Sequence, residues 1–462
     1  MKNEVEALLL SGDVTLLKDI KQLDWRLESA TSEQIVAYQL APGDSALLKL
    51  KERLQKKKPG ILLLGRDPGQ ELGCPVWIAR PDAWPKILDL LCHQFFPLPS
   101  GLRLLAVTGT NGKTTTVDLV LQLGEAAGLR GFSIGTLGVR RNGKTLEEFG
   151  LTTPGQIQLR QMLSLYGADA DFVAMEASSH ALEQERVFGL NFEAAAWTSF
   201  TQDHLDYHGT MEAYFKSKER IFDYIKPGGF VFAPAGQAEL VQKLNSRKNF
   251  RSVPGFTQEQ QKLLPVFFRA RFNEENLSSA LALVGQLGVE TKHLDFSSLL
   301  PPPGRFYIRE WAGRTAIVDY AHTPDALENI LRAVKDAFPV HHIIGLFGCG
   351  GDRDRTKRPL MGQAAAHFCD EIVITSDNPR TENPEQIIQD IVKGISTTAK
   401  IVIEVDRPTA VRSALAKLRP NDVLVMAGKG HEDYILKGTT KVPYSDIAEL
   451  DGHIARVKGK TL

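Results

Sequence analysis

Residues 102–116 read LRLLAVTGTNGKTTT, and the reading of the fold starts there. LRLLAVT is an apolar run of the length of a buried strand, and VDLVLQLGEAAG at 117–128 continues with apolar residues at helical spacing. A strand, a glycine-containing turn, then Lys and Thr at a helix start is the grammar of a phosphate-binding loop. The backbone N–H groups of Gly109, Thr110, Asn111, Gly112 and Lys113, continued by Thr114 and Thr115, together with the positive helix end, suit phosphate oxygens. Lys113 is placed to reach the terminal phosphates and the Thr114 hydroxyl to hold Mg²⁺. The general pattern GxxxxGK[ST] asks for glycine at 107, where this chain has Val107. A glycine turn entering a helix by chance is the smaller alternative.

Outward from this stretch the pattern repeats. DFVAMEAS and FEAAAWTSF predict two more buried strands, the first ending in Glu176 and the second leading to Asp203, His204, Asp206 and His208. Carboxylate and imidazole at such strand ends suit a divalent ion beside phosphate, although a single histidine is more often a hydrogen-bonded structural group. Further along, TAIVDYA, HHIIGLFG, EIVITSD, KIVIEVD and DVLVMAG alternate with helical segments. The expected class is therefore α/β with mostly parallel sheets. Proline-rich breaks at 95–101 (FFPLPSG) and 299–305 (LLPPPGR) divide the chain into three expected domains: 1–97, 98–303 and 304–462. The first is small α/β, the second carries the P-loop-like phosphate-binding loop, and the third repeats strand then helix.

EIVIT runs into SDNPRTENPEQI, so Asp377, Asn378 and Arg380 stand where a strand's carboxyl end meets a helix, the usual ligand edge of an open α/β sheet. A capping turn uses Asp or Asn but has no need of an arginine fork.

The 462 residues balance 55 Lys and Arg against 55 Asp and Glu, so no global basic field suits nucleic acid or an anionic membrane. The amino terminus lacks a signal-peptide pattern, no apolar run is long enough for a span, and four scattered cysteines form no CxxC pair. A reduced cytoplasmic protein is expected, with no nucleic-acid or membrane partner, and a monomer.

TGTNGKTTT, TTPG (152–155), MEASSHAL, DHLDYHGTMEAYFKSK, VDYAHTPDAL, GCGGDRDRTKRPLMG and AGKGHEDY together, in this order, closely resemble the Mur ligases of bacterial cell-wall synthesis. The resemblance spans about residues 103–434. It implies ATP-dependent amide formation through an acyl phosphate, with ATP and Mg²⁺, in a three-domain α/β chain whose central P-loop-like domain binds ATP and whose C-terminal Rossmann-like domain binds the incoming amino acid. Lys113, Glu176, His204 and Lys218 match the family's catalytic positions, Thr114, Glu176 and His204 its metal positions, and Lys218 a lysine carbamylated there (N6-carboxylysine), whose anion also serves the metal. Asn273 and Asn276 match adenine-side asparagines, and Arg305, Asp319 and His322 groups that reach the nucleotide from the third domain. Thr152, Thr153, Ser179, Gln184 and Arg186 match positions holding the UDP-N-acetylmuramoyl-dipeptide.

DNPR points to the branch adding meso-diaminopimelate to UDP-N-acetylmuramoyl-L-alanyl-D-glutamate. Arg353, Asp377, Asn378, Arg380, Gly428 and Glu432 then form the amino-acid site, Glu432 pairing with the distal ammonium. Asp352 and Asp354 tying the arginines into a structural network is the alternative. Other readings are a lysine-adding or folylpolyglutamate synthetase-like sister ligase, or a nucleotide-binding scaffold without catalysis. The first block lacks an evident Asp-Ser-Arg segment for the uridine diphosphate end, APGDSALLK being a faint echo. Asp446 in VPYSDIAEL stands as a remnant of a family Asp-Asp-Arg pattern.

Overall fold

The computed structural model describes residues 1–291, 294–396 and 399–459. Three α/β sheets follow one another along the chain, all with parallel centres. The first has five strands and lies within Leu9–Ala79; its members Gln22–Asp24, Gln34–Tyr38, Ile61–Leu64 and Val76–Ala79 run parallel, and Leu9–Ser11 closes one edge antiparallel. The basic run KKKPG at 56–60 starts on the last residue of helix Asp44–Lys56 and continues as loop, with all three lysines exposed.

The second sheet has eight strands and centres on Arg103–Thr108. Phe172–Glu176 pairs with it on one side and Phe192–Trp197 on the other, both in parallel. The chain thus builds outward in both directions from Arg103–Thr108, and a crevice opens above its carboxyl end, the place where such sheets take ligands. Helix Lys113–Ala126 leaves from this point, with ten of its residues buried between the sheet and helix Arg271–Gly285. Apolar clusters cover both faces of the sheet, so its strands read as continuous apolar runs rather than alternating ones. Beyond Gly131–Gly135 the order turns antiparallel through Gly138–Arg141 and Lys144–Glu147, a hairpin extension that the strand–helix alternation did not foretell. Short turns such as Asn142-Gly143 permit it, both residues taking positive φ.

The third sheet places Asp422–Ala427, the last of its strands in sequence, between Arg314–Asp319 and His342–Phe347, with Glu371–Ile374 and Lys400–Ile403 beyond. Tyr307–Trp311 adds an antiparallel edge. The expected strands all form, and helix Pro384–Val392 follows DNPRTEN with Pro at its first turn and Asn383 as its cap. Among the described residues no helix is long and apolar enough to cross a membrane, and the four cysteines are free.

Candidate functional site

Gly109 and Gly112 take positive φ, and a Cβ on either would strike a neighbour, Thr198 Oγ1 or Asn276 Oδ1. Glycine is therefore required twice over, by backbone conformation and by close approach. The strand end, held this way, presents Lys113 at the first turn of the helix. Lys113 Nζ donates to the carbonyls of Gly109 and Thr110, each at 2.9 Å. Lys218, 1% exposed, donates to the same Gly109 carbonyl at 2.8 Å. Two lysine nitrogens thus converge on one oxygen, and among the described residues no carboxylate is bonded to either. Burial, and then the Lys113 charge, hold the Lys218 amine well below its usual range. Burial likewise lowers Lys113, against the pull of Glu176 and Asp203. Tyr214, whose ring Lys218 Nζ faces at 4.7 Å, hydrogen-bonds Thr110 Oγ1 at 3.2 Å and completes the cage.

Glu176 ends its strand one step from this loop. Its Oε1 accepts from Thr114 Oγ1 (3.0 Å) and from the Thr136 backbone N–H (2.8 Å), and its Oε2 from Thr136 Oγ1 (3.2 Å). His204 stands on the other flank of Lys113, at positive φ, with burial pushing its imidazole towards the neutral form. Glu176 and His204 share no hydrogen bond or ion pair. Among the described residues no three His, Cys, Asp or Glu side chains gather into a metal cage. Thr114 and Glu176 nonetheless offer adjacent oxygens of the hard kind Mg²⁺ prefers, and Mg²⁺ usually takes only one or two carboxylates beside phosphate. The donor set fits such an ion.

Of the five residues read as the muramoyl-dipeptide set, Thr152 and Thr153 lie in one loop, Ser179 opens the short helix Ser179–Glu183, and Gln184 and Arg186 follow its end. Thr152 Oγ1 is 3.3 Å from Thr136 Oγ1, and Thr153 Oγ1 donates to the Glu176 carbonyl at 2.8 Å. Arg186 reaches the Thr153 carbonyl (2.7 Å) and Gln184 Oε1 (2.7 Å), while Gln184 donates to the Tyr207 hydroxyl. Ser179 Oγ is buried without a protein partner. Asn273 and Asn276 lie on helix Arg271–Gly285, where Asn276 meets Thr116 Oγ1 and Asn273. On another flank of that helix a cavity of about 350 Å³ is lined by Glu274, Glu275 and Ser278 among others.

The third sheet meets the second across this crevice. Asn111 of the glycine loop donates to Asp325 Oδ2 at 2.9 Å and accepts from Thr323 Oγ1. Lys357 Nζ lies 3.6 Å from Asp203 Oδ1, both nearly buried. Burial would raise the Asp203 carboxyl, but Lys357 and then His204 outweigh it and hold it well below its usual range. Arg305 stacks over the Tyr320 ring at 4.7 Å, Asp319 accepts from the Phe306 and Ala321 N–H groups, and burial takes His322 down to about 4. Arg305 lies within electrostatic reach of Lys113, and His322 within that of Asp203.

Around the DNPR loop, Lys429 is the hub. Wholly buried, it bonds Glu432 (2.7 Å), Asn378 Oδ1 (2.9 Å) and, at 3.3 Å, Asp377. Asn378 Nδ2 donates to Glu432 Oε2 at 2.9 Å. One oxygen of Glu432, expected to face a ligand ammonium, is thus already engaged by Lys429. Gly428, at φ 109°, lets this turn leave the strand. Arg380, also at positive φ, donates to the Gly351 carbonyl at 2.8 Å; burial and then the nearby Arg353 lower its pKa. Asp352 instead binds Thr381, and Asp354 binds Thr356 and Gln202. Neither carboxylate bonds an arginine guanidinium in this loop, so the structural-network alternative does not describe Arg353 or Arg380.

Asp446, read as a remnant of the family pattern, is buried against Arg407 in a paired fork at 3.0 and 2.7 Å. Sequence reasoning also passed over Lys357 and Lys429, which stand inside quoted motifs but show their role only through their partners, and Thr136, which lies outside every quoted motif. In the first sheet it missed Asp24-Trp25-Arg26. Asp24 ends a strand, accepts from the Trp25 and Arg26 N–H groups and grips the Arg26 guanidinium at 3.1 Å. The search for Asp-Ser-Arg passed over it because Trp25 stands in the serine place.

Residues 107–307 match the Mur ligase middle domain, and residues 304–430 match the Mur ligase, glutamate ligase domain. The chain is 38% identical to the UDP-N-acetylmuramoyl-L-alanyl-D-glutamate–2,6-diaminopimelate ligase of Synechococcus elongatus, over 91% of this chain and 96% of that one. A solved structure of a ligase bearing the same name superposes with a TM-score of 0.59 at 30% identity, covering 95% of each chain. The MurF ligase of Thermotoga maritima in complex with ADP, at 13% identity and TM-score 0.60, covers 89% of this chain and 94% of its own and shares the fold.

Proposed function

This chain belongs to the Mur ligase family, and from that premise we propose that it joins meso-diaminopimelate to UDP-N-acetylmuramoyl-L-alanyl-D-glutamate, driven by ATP. The observation that carries the amino-acid choice is the Arg380–Arg353 neighbourhood, two guanidinium groups with no carboxylate paired to either beside the Asn378–Lys429–Glu432 network. Diaminopimelate differs from lysine by a carboxylate beside its distal amine, and that group supplies the missing counter-charge. Lysine would bring its distal ammonium without that carboxylate.

In this reading the D-glutamate γ-carboxylate attacks the γ-phosphorus of ATP, releasing ADP and leaving an acyl phosphate. The free amine of diaminopimelate then attacks the acyl carbon, and the tetrahedral intermediate expels phosphate as the amide forms. Lys113 offsets charge developing on the transferred phosphoryl oxygens. Thr114 and Glu176 would hold Mg²⁺, with His204 on the opposite flank. The ion supplies neutralisation of the phosphate charge. Lys218, whose amine burial holds well below its usual range, suits reaction with CO₂: the neutral nitrogen forms the N–C bond, one proton leaves, and a neutral amine beside Lys113 becomes an anion. Arg186, Gln184, Thr152, Thr153 and Ser179 would position the muramoyl dipeptide, and Asp24-Trp25-Arg26 is the first-sheet segment best built for its uridine diphosphate end. Asn111–Asp325 and Asp203–Lys357 hold the second and third sheets together, as a water-excluding closed site needs.

The test is phosphate release and product mass with ATP, Mg²⁺ and the UDP-muramoyl dipeptide, offering diaminopimelate and lysine separately. Amide product with diaminopimelate alone is expected. Product with lysine alone would overturn the reading of Arg380.

A further inference from the structure

Two loops carry the arginines of the amino-acid site, 348–355 and 377–382, and neither arginine is held by its own loop's acids. The loops are stitched together first by backbone. Gly351 N–H donates to the Asn378 carbonyl at 2.9 Å, and a Cβ on Gly351 would strike the Pro379 carbonyl. Asp352 closes a second stitch, its carboxylate taking the Thr381 N–H and hydroxyl.

Beneath both lies Arg358, on the first turn of helix Lys357–Phe368 and wholly buried. Its Nη2 meets Glu382 Oε1 at 2.8 Å and its Nη1 meets Asp390 Oδ2 at 3.0 Å. Glu382 Oε1 in turn accepts the Asp352 backbone N–H at 2.6 Å, and Glu382 Oε2 pairs with Arg355 at 2.8 Å. One carboxylate therefore touches both loops and is fixed from below by a guanidinium that cannot move. A fork of this kind defines direction as well as distance, which a lysine cannot do.

We propose that Arg358, acting through Glu382, is a positioning residue that sets the spacing of the Arg353 and Arg380 guanidinium groups, and so the selectivity for an amino acid with a second carboxylate. The proposal rests on the diaminopimelate reading above. Arg358 and Glu382 touch no part of the phosphate loop, so a loss of spacing is felt by the amino acid and not by ATP. A misplacement on the order of 1 Å can cost about 10²-fold where geometry is demanding.

The experiment uses the full chain with Arg358→Lys, Glu382→Ala and Glu382→Gln, steady-state kinetics with ATP and diaminopimelate varied in turn, and thermal unfolding of each variant. Expected for Arg358→Lys and Glu382→Ala is a rise of about tenfold or more in KM for diaminopimelate, with KM for ATP within about twofold. Glu382→Gln keeps an oxygen for Arg358 and for the Asp352 N–H, and is expected to recover most of the affinity. Equal rises in both KM values, or folded variants with unchanged KM for diaminopimelate, would overturn the positioning role. Should Arg358→Lys fail to fold, the Glu382 pair decides alone. A wild-type chain inert towards diaminopimelate would instead sink the functional reading, and this inference with it.

Discussion

Two arginines stand at the carboxyl edge of the third sheet and share Asp377 as an electrostatic neighbour. Arg407 is wholly buried, and all three of its guanidinium nitrogens are bonded: Asp446 takes two bonds, the Ala427 carbonyl one at 2.9 Å and the Ser376 carbonyl one at 3.4 Å. Burial alone would lower its pKa, but Asp446 outweighs that and holds it above the usual arginine value. Arg380 is half-buried and bonds only backbone carbonyls, with a second arginine nearby and a lowered pKa. The first guanidinium is completed within the protein and ties two strand ends together. The second is left for something the chain does not supply. His322 shows a third treatment of a buried ionisable group, since burial keeps it neutral rather than paired.

The largest effect that tests this contrast is on stability. Arg407→Ala leaves Asp446 buried without its partner, and breaking such a pair costs about 3–5 kcal/mol. A urea titration should show this, with residual activity tracking the folded fraction. A loss below about 1 kcal/mol would mean that Arg407 is not the scaffold member of the comparison.

Next comes Arg380→Ala, where stability should hold within about 1 kcal/mol while KM for diaminopimelate rises by roughly one to two decades. That is the size of a charged hydrogen bond worth about 1.5–3 kcal/mol. Equal rises for ATP and diaminopimelate would place Arg380 with Arg407 as a structural group.

The smallest effect comes from His322. Its unfolded value is 6.5 and its folded value about 4, so below 6.5 the unfolded chain takes up a proton that the folded chain refuses. Its stabilisation is therefore complete above pH 6.5 and is lost as pH falls towards 4, by about 1.4 kcal/mol per unit. Chemical denaturation at pH 7.5 and 5.5 should give a shallower dependence for His322→Asn than for the wild type. An unchanged slope would mean His322 is not held neutral.

Much of this protein is settled within short windows of sequence. Apolar runs bounded by turn residues located the strands of the second and third sheets, because a strand buried on both faces needs a continuous apolar stretch. The glycine loop with Lys113–Thr114, the MEASSH strand end and the DNPR loop were legible for a similar reason: a phosphate cradle or a fork donor needs particular residue types within a few positions. Tertiary structure alone decided who partners whom. Asn111 and Asp325 are 214 positions apart, Thr114 and Glu176 are 62 apart, and Arg358 meets Glu382 only because two loops of different strands lie side by side. Spacing along the chain carries no signal for such pairs, since the sheet order that brings them together is set by packing across the whole domain. For the same reason Lys429 and Asp446 could be quoted from the sequence but not understood. A buried charge is defined by its counter-charge, and here each counter-charge arrives from a segment of its own.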